Sequence, residues 1–95
     1  MKFSQHIVVY SSEEQALRNL VEDDNGRPPG FLGGRLLKFR DKPGRYVIQV
    51  DFDSWDSAEA SNDLPETRAW SERLLGLIDG EPKYENLDVL LEVDS

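Results

Sequence analysis

The alternation of apolar and polar residues along the chain predicts the element order β-α-β-β-α-β. Residues 3–10 hold Ile7-Val8-Val9 among aromatic and β-branched neighbours, the composition of a largely buried strand. Beyond it, Ser11 with Glu14, or Ser12 with Gln15, makes a capping box. A helix follows to about residue 22, with Ala16, Leu17, Leu20 and Val21 on one stripe. Residues 23–30 are dense in turn formers and read as a loop and candidate lid. A second strand spans 31–40, where Gly33 and Gly34 predict a bulge or a close backbone approach. Lys42-Pro43-Gly44-Arg45 suits a type II turn. The third strand, 45–53, sets Tyr46, Ile48, Val50 and Phe52 against Arg45, Gln49, Asp51 and Asp53, with Val47 the apolar exception. N-cap residues at 54–57 begin a short helix, which breaks at Asn62-Asp63-Leu64-Pro65. A longer helix over 65–79 carries Trp70, Leu74, Leu77 and Ile78; Gly80 suits its left-handed C-terminal residue and Pro82 stands just beyond. Residues 87–93 form the last strand.

This order is the ferredoxin-like βαββαβ topology: one α+β domain over residues 1–95, with a four-stranded antiparallel sheet and helices on one face. The runs Ile7-Val8-Val9, Leu36-Leu37 and Val89-Leu90-Leu91 place apolar groups on both faces of that sheet. The helix-free face therefore needs a second layer. Another copy of the same sheet supplies it in a two-fold homodimer.

Composition narrows the function. The 95 residues include 19 acids and 11 bases, a net charge of −8, which argues against neutralising a phosphate backbone, so nucleic acid is not an expected partner. The absence of Cys removes disulfides, thiolate nucleophiles and Fe–S sites. No apolar run approaches the roughly 18–20 residues of a bilayer span, and the start shows no signal-peptide core, so a cytoplasmic protein with no membrane partner is expected. At 38% hydrophobic the chain is lean. A domain of this size buries only about 60–65% of its unfolded surface, which adds to the case for a partner subunit.

Three stretches carry a family likeness. Pro29-Gly30-Phe31-Leu32-Gly33-Gly34, the hairpin ending Gly44-Arg45-Tyr46, and Phe52-Asp53-Ser54-Trp55-Asp56-Ser57-Ala58-Glu59-Ala60 resemble the antibiotic biosynthesis monooxygenase-like domains of the dimeric α+β barrel superfamily. In element order the resemblance covers about residues 3–93. It implies a homodimer whose sheets form a barrel, with a pocket in each subunit between helices and sheet. It also implies a small apolar or aromatic ligand and oxidation of a phenol- or anthrone-like substrate by molecular oxygen without metal or flavin. The haem-degrading branch places a ligating His on the second long helix; residues 65–79 contain none, and no cofactor is expected. A non-enzymatic ligand-binding or assembly module, or an isomerase or cyclase of the superfamily, needs the same pocket.

The candidate site follows from that resemblance. His6, the only histidine, is the candidate base, against the plainer reading of a hydrogen-bonded sheet histidine. Asn62 and Arg68 are candidate donors to a ligand carbonyl or oxyanion, or else solvated caps. Tyr46, Trp55 and Trp70 are candidate walls, or else core and helix staple. The segment 51–66 has six acids and no base, yet Trp55, Asp56 and the missing bidentate Glu defeat a calcium loop, so no metal site is expected. Arg35, Lys38, Arg40, Lys42 and Arg45 against Asp41 make the second hairpin basic, which suits an acidic segment of a partner subunit. An RNA-recognition domain shares the topology, but its stacking aromatics are missing.

Overall fold

The computed structural model describes residues 1–24 and 27–94; Asn25 and Gly26, in the predicted loop and candidate lid, and Ser95 lie outside the described residues. The chain forms β1 (Phe3–Tyr10), α1 (Glu14–Glu22), β2 (Phe31–Lys38), β3 (Arg45–Phe52), α2 (Trp55–Ser61), α3 (Pro65–Leu75) and β4 (Asp79–Asp88). The strands make one four-stranded sheet in the order β2-β3-β1-β4, antiparallel throughout. This is the ferredoxin-like α+β fold, its second helix divided in two. No helix among the described residues is long and apolar enough to cross a membrane.

Strand periodicity decides which residues the helices cover. Phe3, Ile7 and Val9 of β1 and Tyr46, Ile48 and Phe52 of β3 are buried on the helix side, which also holds Gln5 and Val50. Leu17 and Leu20 of α1 and Leu74 of α3 are fully buried and join Ile7, Val9, Tyr46 and Ile48 in one cluster. Phe3, Phe52 and Ala58 form a second, and Val50 packs against both. The opposite face carries Ser4, His6 and Val8 of β1 beside Val47, Gln49 and Asp51 of β3 and Lys83, Glu85 and Leu87 of β4.

Several boundaries differ from expectation. The capping box is not used: α1 has Glu13 at its N-cap without a side-chain cap, while Ser11 Oγ accepts from the Glu13 amide and donates to the Leu77 carbonyl. Buried Ser11 thus ties the start of α1 to the chain after α3. Helix α3 stops at Leu75, and β4 begins eight residues before the predicted strand, at Asp79 rather than residue 87. The cause is strand position. Because β4 is an edge strand, Pro82 needs no ladder donor there, and Gly80 at φ +73° falls where the β1–β4 register shifts. A glycine and a proline that suggest a helix end are here an edge bulge. Of residues 87–93 only Leu87 and Asp88 stay in the sheet; Val89 donates to the Lys2 carbonyl, and Leu90, Leu91 and Val93 are at least 80% exposed.

Other local expectations hold. The register of β2 on β3 shifts between Phe31 and Gly33, the expected bulge. Gly44 has φ +81° and the Arg45 amide bonds the Lys42 carbonyl at 3.2 Å, as in a type II turn. At the start of β2, Gly30 has φ +85° and its carbonyl accepts from the Asp53 amide at 2.8 Å. A Cβ there falls 2.5 Å from Ser57 Cβ and 2.8 Å from Asp53 Oδ1. Gly30→Ala is expected to lose about 2–4 kcal/mol from strain and overlap combined, lowering Tm in a thermal melt by ~10 °C or more. An unchanged Tm would remove this close approach as a constraint on the fold.

Candidate functional site

The gap between the two hydrophobic clusters is a cavity of about 400 Å³. Its floor is a transverse row of the sheet: Asn86 of β4 opposite Gln5 of β1, Gln5 opposite Val50 of β3, and Val50 opposite Gly34 of β2. On one side runs an aromatic row, in which Phe52 pairs with both Phe3 and Phe31. Phe31 meets Phe52 edge-on at 6.2 Å, and Phe3 meets Trp55 edge-on at 5.0 Å. On the other side stand Ile7, Ile48 and Tyr84.

The roof comes from α2 and α3, and their sequences explain why it stays open. Thr67, Trp70, Ser71 and Leu74 lie on one stripe of α3 at i, i+3, i+4 and i+7. Leu74 reaches the core, whereas Thr67 and Ser71 are too small to fill the space beneath them and line the cavity instead. On α2 the lining residues are Ala58 and Ser61, equally short. Ser54 Oγ accepts from the Ser57 amide, which places Trp55 in the first turn at the cavity wall. Trp70 is held by its indole, whose Nε1 donates to the Leu20 carbonyl at 3.3 Å. Arg73 also reaches Asp23 Oδ2 at 2.7 Å, fastening α3 to the end of α1. At the mouth, the Arg27 guanidinium lies 5.0 Å from the Phe31 ring centre.

Three of the six sequence candidates line this cavity: Asn62, Trp55 and Trp70. The other three lie elsewhere. His6 is on the helix-free face, between Gln49 and Glu85, because even-numbered residues of β1 point away from the helices. Arg68 is exposed on α3, one position past cavity-lining Thr67 and so off its sheet-facing stripe. Tyr46 is buried in the first cluster, and its hydroxyl donates to Glu14 Oε1 at 3.0 Å. Further lining residues carry polar groups that the motifs do not point to, among them Gln5, Glu66, Thr67, Ser71, Tyr84 and Asn86. Gln5 Nε2 donates to Asn86 Oδ1 at 3.1 Å. Partial burial pushes the Tyr84 hydroxyl above its ordinary pKa.

No known family's sequence profile matches the chain, and no curated protein matches it. Solved structures do. A variant of SnoaB, a cofactor-independent oxygenase from Streptomyces nogalater, superposes with a TM-score of 0.78 at 16% identity, covering 99% of this chain and 98% of that one. A candidate antibiotic biosynthesis monooxygenase from Chloroflexus aurantiacus gives 0.77 at 17% identity, with 99% and 98% covered. Rv0793 from Mycobacterium tuberculosis gives 0.75 at 15% identity, with 99% and 100% covered. At such identities the likeness is one of fold, and the antibiotic biosynthesis monooxygenase fold is the fold of this chain.

The Tyr46 cluster makes its own prediction. Glu14 accepts from Lys38 Nζ at 2.9 Å, from Tyr46 and from Arg18 at 3.2 Å. Lys38 first, then the Tyr46 hydroxyl, hold the Glu14 carboxyl below its ordinary range. The folded state thus binds this proton less readily than the unfolded chain does. The resulting stabilisation is whole above the ordinary glutamate range and fades as pH falls through the lower folded value. Urea unfolding of the unaltered protein and Glu14→Gln should show a stability gap that shrinks between about pH 7 and about pH 3. A gap that stays constant would show that the carboxylate is not coupled to folding.

Proposed function

We propose that the chain binds a small, planar, largely apolar aromatic molecule in this cavity and, as a cytoplasmic enzyme, oxidises it with molecular oxygen without metal or flavin. The cavity carries the reading. Its volume lies within the roughly 300–1,000 Å³ usual for small-molecule sites. Phe31, Trp55 and Trp70 offer aromatic walls and Asn62 a polar edge. The fold shared with SnoaB, described as a cofactor-independent oxygenase, supports the reaction class.

In the proposed reaction a phenol-like substrate gives its proton to Glu66, a carboxylate lining the cavity four positions after Asn62. The Asn62 amide donates to the resulting oxyanion. The electron-rich anion reduces dioxygen by two electrons and its ring carbon takes up the hydroperoxide. Glu66 returns its proton to the peroxide oxygen; the ring C–H and the O–O bond then break together, the hydrogen and hydroxide leave as water, and the remaining C–O bond becomes the carbonyl of a quinone. One oxygen atom stays on the product and the other departs as water. A binding module without turnover is the second reading, favoured by the position of the chain's single histidine outside the cavity.

The assembly reading accompanies it: two copies pair through the helix-free sheet faces. Leu32, Leu37 and Leu87 are exposed on the side away from the helices, and the tail beyond β4 adds Leu90, Leu91 and Val93. Of the five basic hairpin residues, Lys38 pairs with Glu14 and Arg45 lies 4.3 Å from the Phe39 ring centre, which leaves Arg35, Arg40 and Lys42 for a partner's acids.

Oxygen uptake with anthrone-type phenols tests the reaction. Protein should accelerate uptake over buffer; Asn62→Ala should slow it about 100- to 1,000-fold, as loss of one oxyanion donor does, and Ser71→Phe should abolish it by filling the cavity. Uptake at the buffer rate would leave only the binding reading. Sedimentation at micromolar concentration tests the pairing. A dimer that Leu90→Asp with Leu91→Asp dissociates is expected, and a monomeric unaltered protein would end that proposal.

A further inference from the structure

Two amides, Gln5 and Asn86, stand side by side at one end of the cavity floor, and no step described above uses them. They are direct cross-strand partners on β1 and β4, and both line the cavity. Their mutual bond, 3.1 Å from Gln5 Nε2 to Asn86 Oδ1, turns the Asn86 carbonyl toward Gln5. The Asn86 amide nitrogen, on the far side of the same planar group, therefore keeps both N–H donors without a partner among the described residues, and Gln5 keeps its second N–H. The floor changes character along its length. From this amide pair it passes to Val50 and then to Gly34, which offers no side chain. Four strands at about 4.8 Å spacing make the row about 14 Å long, polar at the β4 end and apolar at the β2 end.

We propose that Gln5 and Asn86 are specificity residues that orient the ligand by donating to an acceptor oxygen on one edge of its ring system. The inference rests on the reading of the cavity as an aromatic-ligand site. A planar ligand lying along the row places its carbonyl-type edge against the pair and its hydrocarbon body over Val50 and Gly34. Asn86 is exposed to water, so a ligand without such an oxygen displaces that water from its donors and leaves them unpaired, which costs affinity. The site thus distinguishes ring systems of equal shape by one oxygen atom.

Fluorenone and fluorene share a ring skeleton and differ by one carbonyl, so equilibrium dialysis of the full chain with each separates the two layers of the argument. Fluorenone should bind about tenfold more tightly or better, a difference of ~1.4 kcal/mol. In Gln5→Leu with Asn86→Leu that preference should vanish while fluorene binding holds. Asn86→Asp, which keeps the shape and replaces donors by a carboxylate, should invert the preference and covers the case in which the leucine variant does not fold. Equal binding of the two probes by the unaltered protein, or a preference surviving both substitutions, overturns the role of the pair and leaves the cavity reading intact. Binding of neither probe overturns both.

Discussion

Small side chains where the helices meet the sheet keep the hydrophobic core in two pieces. Leu17, Leu20 and Leu74 close one end of the sheet and Ala58 with Phe3 and Phe52 the other. Between them the helices present Ser61, Thr67 and Ser71 over a floor that includes Gly34. Had Thr67 and Ser71 been leucines, the stripe that buries Leu74 would run the length of α3 and close on Val50. The cost of leaving the space open is the apolar contact that larger residues make, and a ligand that fills it returns that contact and stabilises the fold by mass action.

A gap of this kind serves a ligand only if its walls stay in place. The α3 helix is fastened to α1 through the Trp70 indole on Leu20 and Arg73 on Asp23, and Ser11 holds the chain beyond it through the Leu77 carbonyl. The α2 helix is fixed by the Ser54 cap and by Trp55 standing edge-on to Phe3. Trp55 and Trp70 are therefore held by neighbours outside the cavity, so neither depends on a ligand for its position. Preorganised walls spare the ordering entropy that binding otherwise costs.

The topology and much of the helix-covered face were legible in the chain because they rest on local signals. The alternation of β3 and the turn at Pro43-Gly44 each follow from a few adjacent residues. The start of β4 was not legible, since Gly80 and Pro82 end a helix by local rules and become acceptable in a strand only at a bulged sheet edge. That error hid Tyr84 and Asn86, which lie upstream of the predicted strand. The position of His6 was within reach: Phe3, Ile7 and Val9 are more apolar than Ser4, His6, Val8 and Tyr10, so the odd-numbered face of β1 is the one that helices cover. Gln5, a polar residue on that apolar face, was the available sign of a cavity. Tyr46 fitted the apolar alternation equally well as wall or core, and only the distant partner Glu14 decides for the core.

The same period of two assigns the sheet's two faces to different work. On the helix-free side, Lys83 and Glu85 of both signs stand beside Val8 and Leu87, and Ser4 Oγ is buried without a hydrogen-bond partner among the described residues. Lys83 and Glu85 pair with each other at 3.8 Å and remain in water, as does much of Leu87. The proposed two-fold pairing would cover this mixed surface with its own like, because an isologous interface presents the same charges and apolar groups from each side. The tail points the same way: the Val89 amide on the Lys2 carbonyl and Glu92 on Lys2 align it beside the start of β1, while Leu90, Leu91 and Val93 remain in water. Burying apolar surface of that kind contributes about 25 cal/mol per Å². Under the proposed function, then, the ligand meets the odd-numbered residues of β1 and a second copy the even-numbered ones, so His6 faces the proposed partner and not the proposed substrate.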